Sequence, residues 1–275
     1  MGYRRAPDIL ENKTLSEAFY DLRSEYNGAR QTRYERQRRG VSSTGRTADY
    51  HFGSEGQFLR RIELARDYDA NDLVVGQGVS RLTANILQGG FTLDPETGDK
   101  GLDQANLNRW NAWADDADQC DVSGESDWQA IEQLAFRQCI VDGDIFVLPT
   151  RSGALELVES HRGRTPSNTT RNVVLGVLLD GVRRPIEYWF TKEDVGLRAS
   201  VAKVSDIQAY PARDAANERA VFHIFNRKRV SQTRGLTAFC PIVSAIGIHD
   251  DLQFAQLVKA QMAACWAIIE EQTQI

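Results

Sequence analysis

Helical spacing and strand spacing occupy separate stretches of this chain. Up to Cys139 the apolar residues recur every three or four positions; from Asp144 to Phe225 they bunch into short runs broken by turn residues. Helices followed by a run of strands, rather than alternation of the two, predict an α+β fold with a largely antiparallel sheet. Phe58, Leu59, Ile62 and Ala65 mark a first helix. Val75, Val79, Leu82 and Ile86 mark a second, which stops at Gly89-Gly90 as a helix end should. Leu107, Trp110 and Ala114 mark a third, with Asp103 as its expected N-cap. Trp128, Ile131, Leu134, Ala135 and Cys139 mark a fourth, where Ser126 and Gln129 have capping-box spacing. The strand candidates are Asp144–Pro149, Leu155–Glu159, Val173–Leu179, Pro185–Phe190 and Val221–Phe225. Asp142-Gly143, Ser152-Gly153, Asp180-Gly181 and Tyr210-Pro211 supply turn signals between them.

Helical patterning returns after Gly235. Leu252, Ala255, Val258, Met262, Cys265 and Ile269 have helical spacing and predict a rod over Asp250–Gln272, about 35 Å long at 1.5 Å per residue. Its apolar residues cover more than one stripe, and Ala255, Ala260, Ala263, Ala264 and Ala267 keep several faces small. Such a helix suits either an ordinary core position or packing against neighbours on more than one side.

The net charge of −5 is unevenly spread. Arg23, Arg30, Arg33, Arg36, Arg38, Arg39 and Arg46 face only Glu25 and Glu35 within residues 23–46, and the remainder is acidic on balance. That distribution is unlike a general DNA binder, although the arm could touch a nucleic acid or an acidic partner surface. Residues 1–55 read as a basic, partly flexible arm, with a helix near Thr14 to Ala29 and an extended stretch from Gly40 to Gly56. No apolar run reaches the roughly 18 residues of a membrane span, so no membrane partner is expected. The opening residues lack the apolar core of a signal peptide, and Gly2 lacks the downstream Ser or Thr of a myristoylation site. Cys120, Cys139, Cys240 and Cys265 are far apart and predict free thiols rather than disulfides or zinc. His51, His161, His223 and His249 show no ligand spacing, so neither metal nor cofactor is expected.

Candidate chemistry is sparse. Asp142 and Asp144 could hold a divalent metal in a nucleic-acid-processing enzyme, or simply flank a glycine turn entering a strand. Gly76-Gln77-Gly78 has the start of a phosphate loop but sits in a helical pattern, which favours a close helix contact. Ser160-His161 lacks the G-x-S-x-G elbow of a hydrolase. Trp110, Trp113 and Trp128 could stack bases; Trp110 and Trp128 fall on apolar faces and read as core, while Trp113 falls off the stripe and reads as half-exposed. Arg227, Lys228, Arg229 and Arg234 form a basic loop, either a solvated turn or a contact with phosphate or carboxylate at an interface.

Four segments together resemble the lambda-type portal proteins of tailed bacteriophages. Leu59–Leu93 is similar to that family's opening helix pair. Trp110–Pro149 is similar to its tryptophan-rich helix, Cys-Asp junction and V-D-G-D-x-F-V strand. LELVESHRGRTP and GVLLDGVRRPIEYWF resemble its sheet. VFHIFNRKRVSQTRGLTAFCPIVSAI resembles the H-I-F, Gln-x-Arg-Gly and proline-containing stretch before a D-D-x-x-x-A-x-L-V helix. The family's proline ahead of Gln-x-Arg-Gly is missing; Val230-Ser231 occupy that stretch.

The resemblance implies a structural, non-enzymatic subunit of a ring, usually of twelve copies, at one capsid vertex. DNA is threaded through such a ring by the terminase large subunit and later leaves through it. Major capsid, scaffold and head–tail adaptor proteins are the other implied partners; another head–tail adaptor or minor capsid protein is an alternative identity. The location implied is the virion, and the host cytoplasm during assembly. Residues 56–235 would form the wing and 236–275 the stem-type helices, with the chain expected to stop before the family's clip. On this reading Ala260, Ala263 and Ala264 let neighbouring stem helices approach closely. Asp250, Asp251, Glu270 and Glu271 would face a lumen, and the basic loop would grip a neighbour's acids.

Overall fold

The computed structural model describes residues 54–192, 195–197, 201 and 203–272; the side chains of Ser244 and of residues 265–272 lie outside the description. The expected helix near Thr14 to Ala29, and the basic arm up to residue 53, also lie outside it.

Helix α1 (Glu55–Asn71) and helix α2 (Leu73–Leu87) meet at Asp72. The Asp72 N–H donates to Tyr68 O at 3.0 Å and closes α1, while its carboxylate accepts from Val75 N at 2.8 Å and opens α2. Phe58, Leu59, Ile62 and Ala65 are buried, as their spacing predicts. On α2, Val75, Val79 and Thr83 are buried, but Leu82 and Ile86 remain exposed. The close helix contact expected at Gly76-Gln77-Gly78 falls on Gly76 alone. A Cβ there would lie 2.6 Å from Asp69 O on α1, whereas one on Gly78 would meet nothing.

Helix α3 (Lys100–Ala114) is capped by Asp99, which accepts from Gly101 N at 2.8 Å, and not by Asp103. Asp103 sits inside the first turn and accepts from the Thr97 backbone and hydroxyl. After a short turn of helix, α4 (Ala117–Cys120), helix α5 (Trp128–Val141) starts at Asp127 rather than at a Ser126/Gln129 box. Trp110, Trp113 and Trp128 pack on one another with ring centroids 5.2–5.6 Å apart. All three are half-buried, and Trp113 donates to Gly153 O.

The strands form two antiparallel sheets. The first has the order β2 (Leu155–Glu159), β1 (Asp144–Pro149), β7 (Phe222–Phe225); the second runs β3 (Val173–Val174), β4 (Val177–Leu179), β5 (Pro185–Thr191), β6 (Ile207–Pro211). The run expected as one strand over Val173–Leu179 is a hairpin, turned at Leu175 (φ 50°) and Gly176 (φ 81°). Strand β6 pairs with β5 from Thr191↔Ile207 to Glu187↔Pro211, so Tyr210-Pro211 ends a strand rather than a turn. Pro211 is tolerated because β6 is an edge. Phe146, Leu148 and Val158 of the first sheet pack against Val177, Leu179, Tyr188 and Phe190 of the second, giving the main core. The other face of β5 carries Trp189 against Val201 and Ile207.

Helix α6 (Val243–Gln272) starts earlier than the expected Asp250. At 30 residues it is about 45 Å long. Val243 and Ile246 pack on Ala65, Val75, Val79, Val141 and Phe239, which roots its first turn in the helical layer. The architecture is therefore mixed helix and antiparallel sheet with a C-terminal helix.

Candidate functional site

Asp142 closes α5 and Asp144 opens β1, with Gly143 between them at φ 106°. Both carboxylates are buried, and each is engaged by a different arginine. Arg66 on α1 grips Asp142 through two bonds, 2.9 and 2.6 Å, and reaches Glu159 at 2.8 Å. Burial pushes the Asp142 carboxyl up, and the Arg66 contact pulls against it. Glu159 is held down at about 2, first by its hydrogen bond with His161 and, against partial burial, by Arg66.

Asp144 meets Arg234 instead. The guanidinium donates to its two oxygens at 2.6 and 3.0 Å, to Ser160 O at 2.6 Å and to Leu175 O at 2.5 Å. The Phe58 and Phe146 rings cover it on either side, each with its centroid 4.8 Å away. Asp144 also accepts from Gly235 N at 2.8 Å, from the Ser160 hydroxyl, and from the imidazole Nε2 of His223 at 3.0 Å. Burial opposes its ionisation, but Arg234 and then His223 outweigh that and hold the carboxyl far below the ordinary carboxylate range. Burial pushes His223 down, so this ring is neutral at pH 7.

Glycines make room for the arginine. A Cβ on Gly163 would lie 2.5 Å from Arg234 Nη1, and one on Gly176 would lie 2.6 Å from the Gly163 backbone. A Cβ on Gly235 would lie 2.0 Å from Gly143 O. We call this cluster the arginine clasp; it fastens the segment entering α6 to β1, to the turn after β2 and to the β3–β4 hairpin.

Arg234 is thus removed from the basic loop it was grouped with. It is fully buried and committed inside the chain, because a guanidinium with five donors satisfies more converging acceptors than solvent exposure would leave it. The metal reading of Asp142 and Asp144 loses its donors in the same way, since their oxygens are taken by arginines. Among the described residues no group of three His, Cys, Asp or Glu side chains is placed to hold a metal ion. Ser160 and His161 are buried and belong to these ion-pair networks. Cys120, Cys139 and Cys240 are free thiols, and burial pushes Cys139 up to about 12.

The networks set a pH response. Unfolding lets His223 take up a proton that the folded chain refuses, so stability falls as pH drops below its ordinary 6.5. Asp144 and Glu159 have depressed values, so their stabilisation is complete above 3.8 and 4.5 and is lost as pH falls further. Asp142, pushed up by burial, acts in the opposite direction. Urea midpoints should decline from pH 7 to 5 and more steeply below pH 4; His223→Gln should flatten the upper part. A flat profile in the unsubstituted protein between pH 7 and 5 would contradict the neutral His223.

The other sequence-marked residues lie on the surface. Arg227, Lys228 and Arg229 are exposed; the Arg227 guanidinium turns back onto the carbonyls of Arg229 (3.2 Å) and Val230. On α6 every residue from Ile248 to Ala264 is exposed, including Leu252, Phe254 (69%), Leu257 and Met262. Ala260, Ala263 and Ala264 fall in this stretch, and the side chains of Glu270 and Glu271 lie outside the described residues. Asp250 and Asp251 point about 100° apart on the helix. Asp250 lines a cleft of about 390 Å³ with His249 and Gln253 of α6 and with Asp67, Tyr68 and Asn71 to Val74 of the α1–α2 corner. No described helix is long and apolar enough to cross a membrane.

The described chain is thus a two-sheet domain whose buried acids are locked by arginines and whose last helix shows apolar residues to solvent. The chain belongs to the phage portal proteins of the lambda family, whose family model matches residues 34–274. No curated protein matches it. Membership agrees with the resemblance read from the sequence, and the portal protein family is a structural rather than enzymatic one.

Proposed function

We propose that this chain is one subunit of a ring-shaped portal through which phage DNA is packaged and ejected, with α6 as the stem helix. Residues 56–235 are its wing and 236–275 its stem-type part. The observation carrying this reading is the exposed apolar surface of α6. Burying Leu252, Phe254, Leu257 or Met262 is worth about 1.5–3 kcal/mol each, and nothing among the described residues covers them. The same helix of a neighbouring copy supplies that cover on two sides, and a head-to-tail contact of this kind repeats until the ring closes. Ala260, Ala263 and Ala264 permit the close approach. Of the acids expected at the lumen, Asp251 is assigned there, where it would repel DNA and favour sliding, whereas Asp250 faces the cleft at the α1–α2 corner. The terminase large subunit, the capsid, scaffold and head–tail adaptor proteins, and double-stranded DNA are the partners that go with this role.

Negative-stain images of the purified protein should show rings with a central hole. Ala263→Leu combined with Ala264→Leu should convert rings to monomers in sedimentation velocity while leaving the circular dichroism unchanged. Monomers from the unsubstituted chain, or rings that survive both leucines, would overturn the stem assignment.

A further inference from the structure

We propose that the loop Arg227–Val230 of one copy docks into the cleft between the α1–α2 corner and the foot of α6 on the next copy. This rests on the ring reading and names a second contact within it.

The two surfaces are complementary in charge and in apolar character. Asp67, Asp72 and Asp250 line the cleft, and among the described residues no lysine or arginine lines it. Leu73, 80% exposed, and Val74 form its apolar rim. The loop presents Lys228 and Arg229 beside Val230, which at 89% is the most exposed large apolar residue described. A valine that follows two exposed cations matches an apolar rim beside carboxylates.

The loop is also braced before it binds. Arg227 closes on the carbonyls of Arg229 and Val230, and Lys228 N donates to Gln232 Oε1 at 2.8 Å. Gln232 is itself buried and donates to Arg234 O, so the loop stands directly on the arginine clasp. A loop held this way loses little conformational freedom on docking. Loop and cleft are different patches, so the contact is heterologous and runs from copy to copy in one direction.

Cysteines at the two patches test this in the full chain. Val230→Cys with Leu73→Cys, mildly oxidised, should give a reducible ladder of covalent multimers on a denaturing gel, with each single variant and the unsubstituted chain as controls. Rings by negative stain without a ladder, or a disulfide confined to monomers, would overturn the docking and leave the ring reading intact. No rings and no ladder would overturn both. Lys228→Glu with Arg229→Glu should lower the ring fraction at least about tenfold, since like charges brought together are costly. Adding Asp67→Lys and Asp250→Lys should restore it. Rings unaffected by the glutamates, with weakened DNA retention instead, would assign the loop to phosphate and reject the cleft.

Discussion

Arg234→Met should lower the stability of this protein by about 3–5 kcal/mol, the cost of leaving a buried carboxylate without its counter-charge. Asp144 has no route to water, since its side chain is fully buried. Losing the guanidinium also strands the carbonyl of Leu175 and leaves that of Ser160 with only the Gly163 N–H. A folded domain holds only about 5–15 kcal/mol in total, so the variant should unfold at much lower urea or accumulate as insoluble protein. Arg234→Lys should recover little, because an ammonium cannot serve converging acceptors in a planar fork. Adding Asp144→Asn to Arg234→Met removes the stranded charge, and the pair should be more stable than Arg234→Met alone. A double variant as unstable as the sum of its singles would show that the two residues do not act as a unit.

Gly235→Ala should be nearly as damaging, by a steric route. The new methyl would sit 2.0 Å from Gly143 O and 2.3 Å from Gly143 C, which are backbone atoms with nowhere to move. Separating the two segments breaks the Gly235 N–Asp144 hydrogen bond and shifts Arg234 off its acceptors. Overpacking ordinarily costs about 1–3 kcal/mol, and a clash with fixed backbone lies at the upper end of that range. The comparison is Gly78→Ala on α2, where a Cβ meets nothing and helix propensity favours alanine by up to about 1 kcal/mol. Opposite signs for the two substitutions in thermal unfolding are the expected result; a neutral Gly235→Ala would refute the backbone contact.

Much of the architecture was legible because it is local. The strands Asp144–Pro149 and Leu155–Glu159 lie where their β-branched and alternating residues put them, and the buried face of α1 is the one its spacing marks. Strand β6 escaped notice because Pro211 argues for a turn unless the strand is known to be an edge. The caps of α3 and α5 moved by four residues and one because several acids compete as caps, and hydrogen-bond geometry selects Asp99 and Asp127. Leu82, Ile86 and Leu134 keep a helical stripe yet stay exposed, so periodicity alone overstates what one copy buries.

The candidate sites divide along the same line. Arg227, Lys228 and Arg229 lie exposed on the surface. Arg234, five residues further on than Arg229, looked identical in kind. Its partner lies 90 residues upstream, and no periodicity connects such positions. The one trace in the sequence is chemical: an Arg-Gly and a Gly-Asp, Arg234-Gly235 and Gly143-Asp144, whose glycines leave room for backbone against backbone.

That 90-residue separation also bears on how the chain is made. Strands β1 and β2 leave the ribosome early, carrying an acid that cannot be buried safely until its arginine arrives. Closing so long a loop is entropically expensive and comes late. The sheet layer therefore stays incomplete until residue 235 has emerged, and the next segment to appear is α6. Domains fold as units in the order of synthesis, so a chain that has exposed the apolar residues of α6 has already translated the residue that completes its sheet layer.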